Sequence, residues 1–366
     1  MSNLNDNFLP NKRLLSLDAL RGLDMFFLVG LAGILRALPA FSDNALNNWL
    51  ANQTVHPEWH GFTAYDLIFP LFIFIVGAAM PFSFSKQLGQ ENGKKKLYKH
   101  VLIRTIILMI LGVILWQESG GAHPHWGFYS VLYRIGFSYF FAAIIMMNTN
   151  IRGQIYWAFG LLIGYWLLMR FVPVPGYGIG NFSQNGNLGT YIGNWIAEFI
   201  SPDFRYVFSI NLIPSISNAL FGVIAGNWLL SGKKVTEKAL GLLVAGIGLI
   251  ILGLVAHLDI PINKRISSPS FTFLTCGISA FLLSLFYWFI DVKGYKKWAF
   301  FFVVVGVNSI AIYVANFLIN FNNIANVFVG GFNFGRSTEL VVAITVAAIN
   351  WLFLYYLYRQ KIFFKI

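Results

Sequence analysis

Apolar runs of about twenty residues recur along most of this chain, and that recurrence restricts the fold more than any other feature. Crossing ~30 Å of hydrocarbon takes a helix of about 20 residues, and a helix satisfies its own backbone hydrogen bonds where no water can do so. The expected fold class is all-α: a polytopic integral membrane protein with about ten transmembrane helices in one bundle. Spans are expected near 20-38, 66-85, 101-117, 128-147, 154-172, 209-230, 238-257, 270-290, 298-319 and 340-358. The gaps between them are short, so one transmembrane domain covers 13-366 and follows a polar, flexible tail over 1-12. No cleavage pattern follows the first run, which Arg21 and Asp24 interrupt, and that helix is expected to stay attached.

A net charge of +12 raises the question of nucleic acid, but the distribution of charge argues for a bilayer. With the N-terminus taken as cytoplasmic, seventeen lysines and arginines fall in inner segments and five in outer ones, Arg170, Arg205, Lys264, Arg265 and Arg336. The other four, Arg21, Arg36, Arg104 and Arg134, lie in or at the edge of spans. Both termini are thus expected inside, and no basic face interleaved with aromatic residues suggests a nucleic-acid partner. The single cysteine, Cys276, lies within an apolar run and reads as a core residue.

This orientation puts His56, His60, His123, His125 and His257 on the outer face. The stretch His56-Pro57-Glu58-Trp59-His60-Gly61-Phe62-Thr63-Ala64-Tyr65-Asp66 is the densest chemistry in the chain: two imidazoles and two carboxylates at the mouth of an apolar helix. Titratable groups are costly at a membrane boundary, which makes this stretch the first candidate for function. An outer-loop histidine that caps the helix or stacks on Trp59 is the plain alternative. The segment 173-208, rich in Gly, Pro, Asn and Tyr, reads either as a cover over a pocket or as a connector.

Polar residues inside spans form a second layer. Asp18, Arg21 and Asp24 drift around one side of the first helix and can pair as neighbours. Arg104 and Arg134 each call for a carboxylate or an anionic ligand. Asn218, Asn308, Ser309, Asn316 and Asn350 are expected to hydrogen-bond between helices. Gly241, Gly246, Gly248 and Gly253 are expected to let helices approach closely. His123-Pro124-His125 lacks a partner ligand at a recurring metal spacing, so no metal is expected.

The segment His56-x-x-Trp59-x-Gly61-x-Thr63-x-x-Asp66-Leu67-Ile68-Phe69-Pro70-x-Phe72-x-Phe74-Ile75-x-Gly77, with the opening Ser16-Leu17-Asp18-x-x-Arg21-Gly22, resembles the signature of the heparan-alpha-glucosaminide N-acetyltransferase family and its bacterial relatives. Ile213-Pro214-Ser215-Ile216, Ser268-Pro269-Ser270-Phe271 and Gly306-Val307-Asn308-Ser309-Ile310 extend the likeness to about residue 320. Tyr313-Val314-Ala315-Asn316 and Ser267-Ser268-Pro269-Ser270 depart from the family pattern, and these departures bear on the acceptor more than on the acetyl transfer.

The resemblance implies that acetyl-CoA is used from the cytosolic side and that the amine of a terminal glucosamine is acetylated on the other. It carries the catalytic pair onto His56 and Asp66. Candidate residues for acetyl-CoA are Arg21, Arg104, Arg134, Asn308 and Ser309; those for the sugar are Trp59, His60 and Asp24. His60 stays a rival base. An imidazole near pH 7 can take up the acetyl group or deprotonate the sugar amine, and both routes remain open. The expected partners are acetyl-CoA, an amino sugar and the lipid bilayer, with a homodimer left open; the expected location is a bacterial inner membrane. The alternatives are an acyltransferase-3 type O-acetyltransferase, although residues 22 to 38 hold no histidine, and a transporter of amino sugars or cell-wall fragments.

Overall fold

The structure, a computed structural model, describes residues 14–118, 130–200 and 210–364. His123, His125, Trp126, Arg205 and the tail 1-12 lie outside them. The described part is helical apart from one isolated β-bridge between Val174 and Gly178. The first crossing is α1 (Leu15–Phe26), a π-helical turn (Phe27–Leu31) and α2 (Ala32–Phe41), and it is followed by the short α3 (Ala45–Asn52). Next come α4 (Ala64–Leu88), α5 (Gly93–Glu118), α6 (Val131–Asn148), α7 (Ile151–Phe171) and α8 (Leu188–Ile200). The second half runs α9 (Ile213–Leu230), α10 (Val235–Ala256), α11 (Pro269–Tyr287), α12 (Ala299–Gly306), α13 (Ser309–Leu318), α14 (Phe321–Val329) and α15 (Thr338–Arg359).

Among the described residues, eight helices are long and apolar enough to cross a membrane, and the pair α12 and α13 makes a ninth, bent by 65°. The expected unbroken span over 298-319 is therefore two half-helices. The expected span at 154-172 is α7, whose 21 residues reach far enough but include Arg152, Gln154 and a row of Tyr and Trp that lower its hydropathy. α7 nonetheless runs the length of α9. Gln154 Oε1 accepts from Asn227 Nδ2 at one end (3.0 Å), and the Tyr165 hydroxyl lies 2.8 Å from Asn211 Oδ1 towards the other.

Close contacts at glycine hold the bundle together. A Cβ on Gly22 would collide with the Phe302 carbonyl, and one on Gly306 with the Asp18 carbonyl, so α1 and α12 touch backbone to backbone. Gly77 and Gly222 do the same between α4 and α9. Lipid tails are as apolar as leucine, so such small-residue contacts and interhelical hydrogen bonds carry the association. Of the glycines expected to allow close packing, Gly246 and Gly253 meet the α11 backbone and Gly241 meets the Trp228 ring, whereas Gly248 faces open space. Asn350 Nδ2 donates to Val29 O in the π turn, and Cys276 Sγ lies 3.3 Å from Asn218 Oδ1, both between helices. Asn316 instead bonds back to Ile312 O within α13.

Candidate functional site

α4 begins with a reciprocal cap that fixes the centre of the site. Asp66, in its first turn, turns Oδ2 back to accept from the Thr63 backbone N–H (3.1 Å), while Thr63 Oγ1 donates to Val55 O (2.9 Å). This leaves Oδ1 of a fully buried carboxylate aimed away from the helix, at His56 Nδ1, 2.7 Å distant. A carboxylate can only accept, so Nδ1 carries the proton and the Nε2 lone pair is free for chemistry. About a third of the imidazole is exposed, against 1% of the carboxylate, so the histidine is the member of the pair that a solute can reach.

The ring is wedged on a second side. Tyr65 lies 4.8 Å from it, centroid to centroid, and Arg36 sits over Tyr65 at 5.2 Å. Arg36 is in turn anchored by Thr54 Oγ1 and the Thr54 carbonyl, at 3.1 and 2.8 Å.

A third side chain completes the cluster, and it comes from the far half of the chain. Lys264 Nζ lies 3.0 Å from His56 Nε2, 3.3 Å from Nδ1 and 3.5 Å from Asp66 Oδ1. An ammonium this close to both ring nitrogens cannot lie in the imidazole plane without striking the carbon between them, so it lies over the ring face. Burial pushes the Lys264 ammonium down to about 8; Asp66 opposes that shift and Arg134 adds to it.

The loop between α10 and α11 is built to deliver this lysine. Gly61, at φ +128°, donates its N–H to Ile262 O (3.0 Å), a backbone geometry that suits glycine. Asn263 Oδ1 accepts from the Arg265 and Ile266 N–H groups at 2.7 and 3.2 Å. That sets its amide so that Nδ2 faces His60 Nδ1 at 3.2 Å. Ser267 adopts a left-handed conformation (φ +48°) and accepts at Oγ from Arg134 Nη1, 3.1 Å away. A non-glycine residue there costs of order 1 kcal/mol and clusters at functional sites. Arg134 and Lys264 both lie against the Phe69 ring, at 5.5 and 5.3 Å.

His60 occupies a different position from His56. Its Nδ1 accepts from Asn263, it is solvent-exposed, and burial and His257 lower its pKa. Among the described residues, no carboxylate orients it. Trp59 donates from Nε1 to Phe182 O (2.8 Å), which ties the expected outer cover to the site through its indole.

The remaining expected residues are elsewhere. Arg21 pairs with Asp18 at 3.4 Å near the start of α1. Asp24 is buried one turn further on, with Oδ2 unpartnered, and lies about 18 Å along the same span from Arg36. Arg104 stacks over the Tyr139 ring at 4.6 Å, with Nε buried and unpartnered. Asn308 sits at the bend between α12 and α13, and both ends of its amide are taken: Nδ2 donates to Ile362 O (3.0 Å) and Oδ1 accepts from Phe364 N (3.1 Å). Ser309 is buried beside it. The structure thus gathers His56, Asp66 and Arg134 at one end with Trp59 and His60 nearby, and leaves Arg21, Asp24, Arg104, Asn308 and Ser309 deeper or towards the other end.

A small apolar cleft lies beside the cluster, below Phe69. Phe69 forms one wall, with Met25, Leu28, Phe72, Ile135 and Tyr313 around it. One helical turn beyond Ile135 comes Tyr139 with Arg104, and next to Met25 comes Asp24.

Residues 13–123 match a family model described as a domain of unknown function, DUF5009. The chain is similar to heparan-alpha-glucosaminide N-acetyltransferase of Homo sapiens, 28% identical over 379 residues that cover 85% of this chain and 55% of that protein. It is also similar to the protein of the same name from Mus musculus, 28% identical over 426 residues covering 99% of this chain and 63% of that one. The chain therefore spans less than two thirds of the length of these relatives. The likeness that its motifs suggest extends over nearly the whole chain.

Proposed function

We propose that the protein is a transmembrane N-acetyltransferase, which takes the acetyl group of acetyl-CoA from the cytoplasmic face and delivers it to the amine of a glucosamine-type sugar at His56. The carrying observation is the buried Asp66 carboxylate 2.7 Å from Nδ1 of a solute-accessible imidazole, in a chain similar to named N-acetyltransferases. Acyl transfer to an amine needs a base whose lone pair is held in place, and this pair supplies one.

In this reading the amine attacks the thioester carbonyl, His56 Nε2 takes the amine proton, the C–S bond breaks and the thiolate leaves with that proton. If the acetyl group rests first on Nε2, the same lone pair forms the bond, and the amine then displaces it. Asp66 keeps Nδ1 protonated throughout.

The interior supports a donor that threads the bundle. The strongly basic loops suit the nucleotide phosphates, and the apolar lining below Phe69 suits a thin pantetheine arm once the helices part to admit it. Arg21 and Arg104 are the donor-side cations of this reading, and Arg134 the one at the reacting end. The charge bias of seventeen to five argues for both termini in the cytoplasm, and the bacterial inner membrane is the proposed location.

The test is thiol release by the purified full chain in detergent, with and without glucosamine, for wild type and His56→Ala. Glucosamine-dependent release that is lost in the variant supports the reading. Absence of release from acetyl-CoA in wild type overturns it, and uptake of labelled glucosamine without acetylation then identifies a transporter.

A further inference from the structure

Lys264 lies outside both motif blocks that carry the likeness to acetyltransferases, yet it makes closer contact with His56 than any other cation among the described residues. Structural pairing with Asp66 does not account for its position. Nζ is 3.5 Å from the carboxylate oxygen but 3.0 Å from Nε2, the nitrogen that Asp66 leaves free. A group that touches substrate at Nε2 therefore arrives beside an ammonium already in place.

We infer that Lys264 is a catalytic residue, the donor that binds the oxyanion of the tetrahedral intermediate formed at His56; this rests on the acetyltransferase reading above. When the nucleophile, Nε2 or the sugar amine, bonds to the thioester carbon, the C=O π pair moves onto oxygen. That oxygen sits on the carbon bonded to the reacting nitrogen, and Nζ, 3.0 Å from Nε2, is placed within hydrogen-bond reach of it. Lys264, over the ring face, exchanges its contact with the ring for one to the oxyanion and leaves the in-plane Nε2 lone pair to the reacting group throughout. When the π pair returns, the C–S bond breaks: where the amine attacked directly, the thiolate takes the proton that His56 Nε2 received from it, and where Nε2 attacked, the thiolate leaves unprotonated and takes up the amine's proton after the amine displaces the acyl group from Nε2. The ammonium gives up no proton.

The surroundings favour this role. The loop bonds at Gly61, Asn263 and Ser267 fix the backbone on either side of Lys264, which limits reorganisation during the reaction. The charged groups facing Nζ are Asp66 of α4, His56 of the preceding loop, Arg134 of α6 and Arg265 beside it. Deprotonation of Lys264 near pH 8 then removes the oxyanion donor, and kcat falls on the alkaline side.

The experiment compares wild type, Lys264→Met and Lys264→Arg in detergent at saturating acetyl-CoA and glucosamine, from pH 6 to 10, with thermal unfolding as the check on folding. Loss of one oxyanion donor predicts a kcat about 10²- to 10³-fold lower in Lys264→Met with both KM values nearly unchanged. Lys264→Arg recovers at least about tenfold of that loss, and its alkaline limb disappears because guanidinium stays charged. A Lys264→Met enzyme with wild-type kcat overturns the inference. So does an alkaline limb that persists unchanged in Lys264→Arg, or a defect confined to KM. If Lys264→Met fails to fold, the pH profile of Lys264→Arg decides alone. Absence of glucosamine-dependent thiol release in wild type is the separate failure of the acetyltransferase reading.

Discussion

Asp66 Oδ1 and His56 Nδ1 are 2.7 Å apart, and the same carboxylate caps α4 through its other oxygen. The helix start and the His56 imidazole are thus set by one side chain. Asp66→Asn keeps the shape but offers an amide that can donate to Nδ1 and reverse the tautomer. We expect its kcat to fall by about 10²-fold or more with little change in KM for acetyl-CoA, since misorienting such an imidazole removes the base without touching donor binding. Steady-state thiol release measures this, and a decrease confined to KM would count against the role.

The two histidines of the motif should separate cleanly. His60 has Nδ1 taken by Asn263 and no carboxylate behind it. We expect His60→Ala to retain kcat within about tenfold, whereas His56→Ala loses the general base, a contribution of about 10²- to 10⁴-fold. The reverse pattern in the same assay would move the chemistry to His60.

Lys264 also leaves a signature in stability. Its ammonium is depressed from the ordinary 10.5 to about 8, so between pH 8 and 10.5 the unfolded chain holds a proton that the folded chain has lost. More protons on the unfolded state means that stability rises with pH in that window, and below pH 8 the full cost of burying the charge is present. Wild type should therefore gain on Lys264→Met as pH rises from 8 to 10, by about 3 kcal/mol at most. A stability difference independent of pH would show that Lys264 is not desolvated.

Asn308 clamps the segment after α15 with both ends of its amide. Asn308→Ala removes both bonds, a loss of about 1 kcal/mol each. Hydrogen exchange at the Phe364 amide should accelerate relative to wild type. Unchanged protection there would mean that other contacts hold the segment.

Gly306 lies where any Cβ would enter the Asp18 carbonyl, whereas Gly248 faces open space. Overpacking of this kind typically costs about 1–3 kcal/mol, and backbone on both sides leaves little to yield. Gly306→Ala should lower the detergent Tm well below that of Gly248→Ala, which should match wild type. Equal Tm values would contradict the backbone contact between α1 and α12.

The membrane bundle is legible in the sequence because lipid demands apolar runs of one length. Two spans resist that reading for physical reasons. The stretch 298-319 has no proline, and its polar pair Asn308-Ser309 reads equally well as an interhelical hydrogen-bonding site, so the 65° break is not announced where Gly306 meets α1 and Asn308 turns to the segment after α15. α7 is diluted by tyrosine, tryptophan and glutamine, yet parallels α9 through polar contacts near both ends.

Within the site, His56 and Asp66 are ten residues apart in sequence and carried by one motif. Lys264 meets them only because the α10–α11 loop folds across the bundle. Its one sequence signal is that it is among the five basic residues in the set of loops that the charge bias leaves poor in lysine and arginine. Asn308 looks like a ligand-binding amide because its backbone partners, Ile362 and Phe364, come from more than fifty residues away.

The central claim is that an acetyl group crosses the bilayer through this chain to reach an amine at His56. The most direct measurement places the full chain in sealed liposomes, oriented by protection of its basic loops from protease, with labelled acetyl-CoA on the basic-loop side and glucosamine sealed on the other. The account predicts labelled N-acetylglucosamine on the glucosamine side in wild type and none in His56→Ala. Product that forms only when both substrates share one side, or that forms equally in the variant, would contradict it.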